Sequence, residues 1–321
     1  MNRHVLACAA MFVVASVNGC SQEEDCPIDH TGCYDFQPGT DMSNDDFGGD
    51  VPIKGQLVAI AQACGNLSVV AGEAMRDVTG ACRNIAIDLG SDPNDPKAQG
   101  KAGTDLLTFW CSDPNDGAVA RLEMAYSALT PKGEPFTPTV TPATCDVPIA
   151  VAASCQAKCT PGGSCDLDAH PPTCEGGTLV RTSDGSTLVS CSGGRLRGGC
   201  DVDLPCQANC NAAAQASATC TAATVTIPPS TDADPTRATL SATLTKNLPL
   251  LLAVSRGRGQ PLLDDLGDVS NGFSSIGASK KLDVVSTLCV TDMIAAEISA
   301  NQDFKAAFDA ANAVSKITIG N

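Results

Sequence analysis

Apolar side chains recur at every third or fourth position over two stretches of the chain. The first stretch lies within residues 53–130 and includes "GQLVAIAQACGNLSVVAG", in which Leu57, Ile60 and Cys64 share one helical face. This spacing is typical of amphipathic helices that bury one side. It predicts four successive helical pieces, and Gly90 is the predicted C-cap of the second.

The second helical stretch covers residues 231–321. "RATLSATLTKNLPLLLAV" places Leu240, Leu244 and Leu248 four apart, and we expect Pro249 to kink or end this helix. "KKLDVVSTLCVTDMIAAEI" and "NQDFKAAFDAANAV" are also amphipathic, and the tail "KITIG" suggests a short strand.

Residues 131–230 have a different pattern. They hold ten cysteines, many Gly, Pro and Thr, and a predicted hairpin that turns at Asp184 and Gly185. "TVTIPP" predicts a closing strand. The expected fold class is therefore α+β: a disulfide-braced bundle of N- and C-terminal helices with an inserted cysteine-rich β arm.

Residues 1–19 have the pattern of an export signal. Arg3 precedes thirteen mostly apolar residues, Val5 to Val17, a run too short to span a bilayer. The following "VNGC" resembles the bacterial lipobox, whose cysteine, here Cys20, receives diacylglycerol. Asn18 departs from the small residue usual there, so ordinary leader cleavage is the alternative.

Residues 20–52 are predicted to form the lipid anchor and an acidic tether. The stretch 21–52 carries nine carboxylates and no Lys or Arg, which predicts a solvated chain. Within it we expect Cys26 and Cys33 to pair. No later segment approaches 18 continuous apolar residues, so the N-terminal lipid is the expected membrane attachment.

The cysteine count fits an exported protein. Of eighteen cysteines, Cys8 leaves with the signal and Cys20 carries the lipid, so sixteen remain for disulfides and no free thiol is expected. The disulfide candidates are Cys26, Cys33, Cys64, Cys82, Cys111, Cys145, Cys155, Cys159, Cys165, Cys174, Cys191, Cys200, Cys206, Cys210, Cys220 and Cys289.

A C-Q-A-x-C unit occurs twice among these cysteines. Cys155 and Cys159 lie four residues apart, as do Cys206 and Cys210, so each pair faces one side and is expected to bond to something opposite. Zinc is the alternative, because this spacing is compatible with zinc ligands. The 46 residues between the two pairs, the surrounding cysteines and the lack of matching histidines favour disulfides over zinc. Redox catalysis is a further alternative, and the absence of any C-x-x-C argues against it, so we expect no metal or cofactor.

The four cysteines in the helical stretches are expected to form two disulfides. They are Cys64, Cys82, Cys111 and Cys289, and Cys289 would then link the C-terminal helix to the N-terminal ones. The ten cysteines of the arm allow too many pairings for the sequence to decide among them.

The other polar motifs are explained by structural roles rather than by catalysis or ligand binding. "SDPND" occurs at 91–95 and 112–116, where helix capping by Asp113 is favoured over calcium binding. His30 and His170 have no recognisable catalytic partner. The basic runs "GGRLRGG" and "SRGRGQP" are interpreted as solvated loops or partners of carboxylates. The net charge of −16 argues against nucleic-acid binding.

The order of these segments resembles the cysteine-rich lipoproteins of myxobacteria. The resemblance rests on the lipobox-like leader, the acidic tether, "RDVTGACRNIAIDLG", the cysteine arm with "CEGG…CSGG…CQANC" and "SRGRGQPLLDDL". It implies a location and an architecture, and no chemistry.

These observations predict a non-enzymatic, lipid-anchored cell-envelope protein with a structural or binding role. We expect an outer-membrane lipoprotein that faces the periplasm or the cell surface and binds an envelope or extracellular protein. The alternative is a secreted hydrolase or a disulfide-rich inhibitor that acts in the cleft between arm and bundle.

Lipid attachment is testable directly. A fatty-acid probe should label the protein in its native host, and the Cys20→Ser variant should carry no label because it lacks the acceptor sulfur. Gel fluorescence of the captured protein measures this. Labelling that survives the substitution would remove Cys20 as the attachment site.

Overall fold

The computed structural model of the protein describes residues 33–48, 51–129, 136–160, 162–228, 234–277 and 282–319. These residues form a mixed fold of helix and sheet with long helices near both ends, as predicted. The helices are α1 (Val51–Asp88), α2 (Gly103–Ser112), α3 (Ala118–Leu129), α4 (Ile149–Lys158), α5 (Leu204–Ala216), α6 (Pro235–Leu252), α7 (Gly259–Gly277) and α8 (Val284–Ile319). The strands are β1 (Thr139–Thr141), β2 (Cys145–Pro148), β3 (Thr173–Glu175), β4 (Thr178–Arg181), β5 (Leu188–Ser192), β6 (Arg195–Arg197), β7 (Thr219–Cys220) and β8 (Thr224–Thr226).

Helix α1 is the central element of the core. It packs against α8, α5, α6 and α2, and Leu57, Ile60 and Ile85 are fully buried along it. The first two predicted helical pieces are one helix, because the apolar face continues through Gly72. Gly90 follows the helix end with φ of +104°, which confirms it as the C-cap residue.

Helix α8 runs along α1 and completes the core. The predicted strand in the tail is wrong, because α8 continues to Ile319 and Thr318 Oγ1 donates to Val314 O within it. Both α1 and α8 are long and apolar enough to span a membrane by length and composition. In α1, however, 67% of the most apolar stretch is buried inside the protein, as expected of a core helix, against 33% in α8.

Helices α6 and α7 are joined by a π-helical turn. Pro249 lies inside α6 and does not end it, and the backbone continues through Ala253–Arg258 into α7. The prediction of a loop at "SRGRGQP" is therefore wrong. Contact with α8 explains the helix, since Ser255 Oγ lies 3.5 Å from Ser315 Oγ and Gly259 is close to the Phe308 ring.

The cysteine-rich segment is partly β and partly helical. β1 pairs with β8 and joins its two ends, and β4, β5, β2 and β7 form an antiparallel sheet in that order. The β4–β5 hairpin turns at Gly185 as predicted. The two helices were not predicted. α5 forms from an alanine-rich run that favours helix, and it packs against both α1 and α7.

Residues 33–48 lie on the helices, so the predicted solvated tether is wrong for this part. Met42 and Phe47 are fully buried among the core residues. Gly65 of α1 allows the approach, because a Cβ there would lie 2.4 Å from the Met42 methyl group. The composition of the stretch is acidic, but two buried apolar side chains and the disulfide from Cys33 to Cys289 hold it against the body.

Seven disulfides connect the described part of the chain. Five lie within the cysteine-rich segment and are nested one inside another. The seven pairs are Cys33–Cys289, Cys82–Cys111, Cys145–Cys220, Cys155–Cys210, Cys159–Cys206, Cys165–Cys200 and Cys174–Cys191. Each C-x₃-C pair thus bonds across to the other.

Two predicted pairings are wrong. Cys33 bonds to Cys289 and not to Cys26, because residues 33–48 pack on the body; Cys26 itself lies outside the described residues. Cys64 is in no disulfide, so the four helical cysteines do not form two pairs. Cys64 is fully buried beside Glu297 of α8. Glu297 lies about 12 Å along the helix from Cys289. Burial raises the pKa of the Cys64 thiol well above the usual value, and the Glu297 charge adds to this.

The disulfide that closes the longest loop and the one that closes the shortest should differ in their effect on stability. Replacing both Cys33 and Cys289 by Ala opens a loop of 256 residues and should lower the free energy of unfolding by about 5 kcal/mol. The matched double variant at Cys174 and Cys191 opens 17 residues and should cost about 3 kcal/mol. Urea unfolding without reductant measures both. A larger loss from the short loop would contradict the chain-entropy explanation.

Candidate functional site between the cysteine-rich segment and helix α7

Two arginines on β6 meet a row of carboxylates on α7. Arg195 and Arg197 are two residues apart on a strand and point to the same side. Asp264 and Asp265 lie four and three residues before Asp268 on α7, so each shares a side of the helix with Asp268. The strand and the helix therefore present complementary charges to each other.

The contacts form a continuous ion-pair network. Arg195 Nε donates to Asp265 Oδ1 at 2.6 Å, and Arg195 Nη2 donates to Asp268 Oδ2 at 2.7 Å. Arg197 Nη1 shares that Asp268 oxygen at 2.6 Å and reaches Glu175 of β3 through Nε at 3.3 Å. The guanidinium groups thus tie β3 and β6 to α7, as predicted for a basic run that partners carboxylates.

Asp265 is the buried member of the network. Its side chain is 4% exposed, and its second oxygen, Oδ2, has no hydrogen-bond partner. Burial raises the pKa of Asp265 to about 7, although Arg195 pulls it down. The unpartnered Oδ2 is the atom that can hold the proton when the group is neutral.

A cleft of about 290 Å³ opens beside this network. It lies between β6, α5 and α7, and it is lined by residues that include Arg197, Leu204, Gln207, Asn211 and Asp268. This is close to the lower limit for small-molecule sites. The polar side chains among these five are engaged within the protein, and Leu204 is largely exposed.

The glutamines of the two C-Q-A-x-C units hold one peptide backbone between them. Gln156 Oε1 accepts from Cys200 N at 2.8 Å, and Gln207 Nε2 donates to Cys200 O at 3.2 Å. Gln156 Nε2 also donates to Asn211 Oδ1 at 3.1 Å. The repeat therefore positions the Cys200 backbone as well as forming disulfides. Sequence reasoning missed this role because Gln156 lies 44 residues from Cys200.

The sulfur atoms of the repeat cluster closely but are already bonded. Sγ atoms of Cys159, Cys206 and Cys210 lie within 4.8 Å of one another, with Cys206 and Cys210 3.9 Å apart. All three are in disulfides: Cys159, directly after α4, bonds to Cys206 of α5, and Cys155 of α4 bonds to Cys210 of α5. A disulfide sulfur is not a thiolate, so the cluster in this state braces the chain.

The remaining predicted sites are scattered. Cys20, Cys26 and His30 lie outside the described residues. His170 is exposed in a turn of the cysteine-rich segment.

The two "SDPND" motifs form turns rather than a common site. Asp113 accepts from Asn115 N and Asp116 N, five residues before α3, so the prediction that it caps α3 is wrong. Asp95 caps a short 3₁₀ turn by accepting from Lys97 N.

The carboxylate partners of Arg195 had a weak signal in the sequence. "LLDDLGD" places acidic residues at helical spacing on an apolar helix, which marks a charged face. It does not reveal which arginine that face meets, because the partners are 70 residues or more apart.

No protein-family model, curated protein or solved structure matches the chain. The resemblance to myxobacterial lipoproteins therefore stays a prediction.

The ion-pair network predicts a specific pH dependence. The pKa of Asp265 is higher in the folded chain than its usual 3.8, so its contribution to stability is full below about pH 4 and is lost as the pH rises through 7. Relative to the Asp265→Asn variant, the wild type should lose at most about 1.4 kcal/mol per pH unit between 4 and 7.

Urea unfolding of both proteins across this pH range measures the difference. Asp264→Asn is the matched control, since that carboxylate is 46% exposed and lies 3.9 Å from Arg195 Nη1. Identical slopes for wild type and Asp265→Asn would show that Asp265 does not titrate there.

Proposed function

We propose that the protein is an exported, lipid-anchored protein of the cell envelope with a non-enzymatic, structural or binding role. In this proposal the cysteine-rich segment is a rigid arm that a partner protein recognises. The nested set of five disulfides is the observation that carries the proposal. Disulfides persist outside the cytoplasm, and the outer-membrane location rests on the lipobox-like leader.

The fixed base of the segment supports a presenting role. β1 and β8 join its ends, and the Arg195 and Arg197 network attaches it to α7. A loop held at so many points loses little conformational entropy when it binds, which favours affinity.

The β4–β5 hairpin is the part of the arm best suited to binding. β4 is an edge strand of its sheet, so its outer backbone groups can pair with a strand of another protein. Val180 of β4 and Val189 of the neighbouring strand β5 are 38% and 46% exposed, and exposed apolar side chains near a sheet edge favour contact with a partner.

The alternative function is a hydrolase or inhibitor that acts at the cleft beside α7. The polar side chains named above that line this cleft are bonded within the protein, and this favours the binding role. Assays with general esterase, glycosidase and protease substrates separate the two. Turnover, or inhibition of an added protease, would overturn the non-enzymatic proposal.

Capture from the native envelope tests the arm directly. The mature protein should retain an envelope protein, and the Val180→Asp/Val189→Asp variant should lose it because charge replaces the apolar contacts. Met124→Asp on α3 is the matched control, since Met124 is 50% exposed elsewhere. Mass spectrometry identifies the retained protein, and peptide mapping verifies the disulfides. Equal capture by both variants would remove the hairpin as the binding surface.

A further inference from the structure

The first four turns of α8 carry an exposed stripe without charge. Its members are spaced four, three, four and three residues apart, so they lie along one side of the helix. They are Val284, Leu288, Thr291, Ala295 and Ile298, of which Val284 is 77%, Leu288 41% and Ile298 49% exposed. We call these five residues the α8 stripe. Ser286, Met293 and Ala300 on the opposite side are buried against the core.

The N-terminal end of the described chain is fixed beside this stripe. Cys33 is bonded to Cys289, with the two Cα atoms 4.5 Å apart. Cys33 N also donates to Asp292 Oδ2 at 2.6 Å, one turn after Leu288. The neighbouring Tyr34 is 62% exposed. The described chain therefore begins on the same helix that carries the α8 stripe.

The distance to the expected lipid is short. Twelve residues separate Cys20 from Cys33, and such a stretch spans at most about 45 Å when fully extended. Residues 33–48 do not lengthen the connection between Cys20 and the body, because they pack on the helices. A lipid on Cys20 would keep the α8 stripe within this distance of the bilayer surface.

We propose that the α8 stripe is the surface by which the protein docks on the bilayer that holds its lipid, and specifically on zwitterionic phospholipid. The inference rests on the proposed lipid anchorage. An apolar helix face is stabilised at the membrane interface because its side chains are removed from water there. The net charge of −16 disfavours anionic headgroups and leaves a zwitterionic surface as the compatible one.

A second copy of the chain fits the stripe less well. The stripe is about 21 Å long and one side chain wide. A stable dimer usually buries about 800 Å² on each partner, which five side chains of this size do not supply. The docked bilayer needs no such area, because the anchor already holds the protein at the surface.

A tethered form of the full mature chain tests the docking independently of lipidation. An N-terminal hexahistidine in place of Cys20 attaches the protein to phosphatidylcholine vesicles that contain a chelating lipid. The native Trp110 is 2% exposed, so a Leu288→Trp variant adds a single exposed reporter. Brominated phosphatidylcholine should lower the emission that this tryptophan adds by about half, because the stripe lies at the headgroup and acyl boundary.

Leu250→Trp is the matched control. Leu250 on α6 is 43% exposed, like Leu288, but it lies near the opposite end of α8. The adjacent π turn contacts α8 at Ser315, which is about 40 Å along that helix from Leu288. Its emission should not change with bromination. Adding Val284→Asp to the Leu288→Trp variant should abolish most of the quenching, whereas adding Leu250→Asp should not.

The outcomes separate the two proposals. Quenching at 288 alone supports docking of the α8 stripe on a bilayer, and the Cys20→Ser labelling test decides separately whether a lipid holds the protein there. No quenching at either position overturns the docking while leaving lipid anchorage intact. A concentration-dependent dimer that Val284→Asp dissociates, seen by sedimentation, would assign the stripe to a second copy and also overturn it. Non-reducing peptide maps of every variant verify the fold.

Discussion

No two disulfides in the described part of the chain cross in sequence, and the rest of the structure depends on this arrangement. Each outer pair closes a loop that the inner pairs have already shortened, so the constraint accumulates from Cys174–Cys191 outwards to Cys33–Cys289. The chain needs this help. Only 3% of its residues are aromatic, and the core is built largely from Ala, Leu and Val, which bury less area each.

Helix α5 connects the disulfide-bonded, cysteine-rich segment to the hydrophobic core. Its first turns carry Cys206 and Cys210, which bond to α4, while Ala212 and Ala213 pack into the main core cluster. The disulfides therefore constrain a helix that also packs against α1 and α7. The ion pairs of Arg195 with Asp265 and Asp268 add a second attachment, which joins β6 to α7.

Local patterns in the sequence predicted the local structure well. Periodic apolar residues located the helices, Gly90 ended α1, and the hairpin at Gly185 formed as its residues indicate. The strand predicted in the tail and the Asp113 cap of α3 were local errors. Other failures depend on contacts between distant residues. The bond from Cys33 to Cys289, the burial of Phe47, and the exclusion of Cys64 from the disulfides follow from packing, which leaves no periodic mark. Helix α5 was also not predicted, because the cysteine-rich segment was interpreted as β structure despite the helix propensity of its alanines.

The position of the outermost disulfide determines how an anchored protein would bear load. A pull on the N-terminal chain reaches Cys33 and passes through Cys289 into α8, which packs along α1 for much of its length. Without that bond, the pull would act first on residues 33–48, held mainly by Met42 and Phe47. Two apolar side chains contribute only about 3–6 kcal/mol, so a covalent link is the stronger attachment. The same bond that closes the disulfide set would therefore transmit the load of a lipid anchor directly to the core helices.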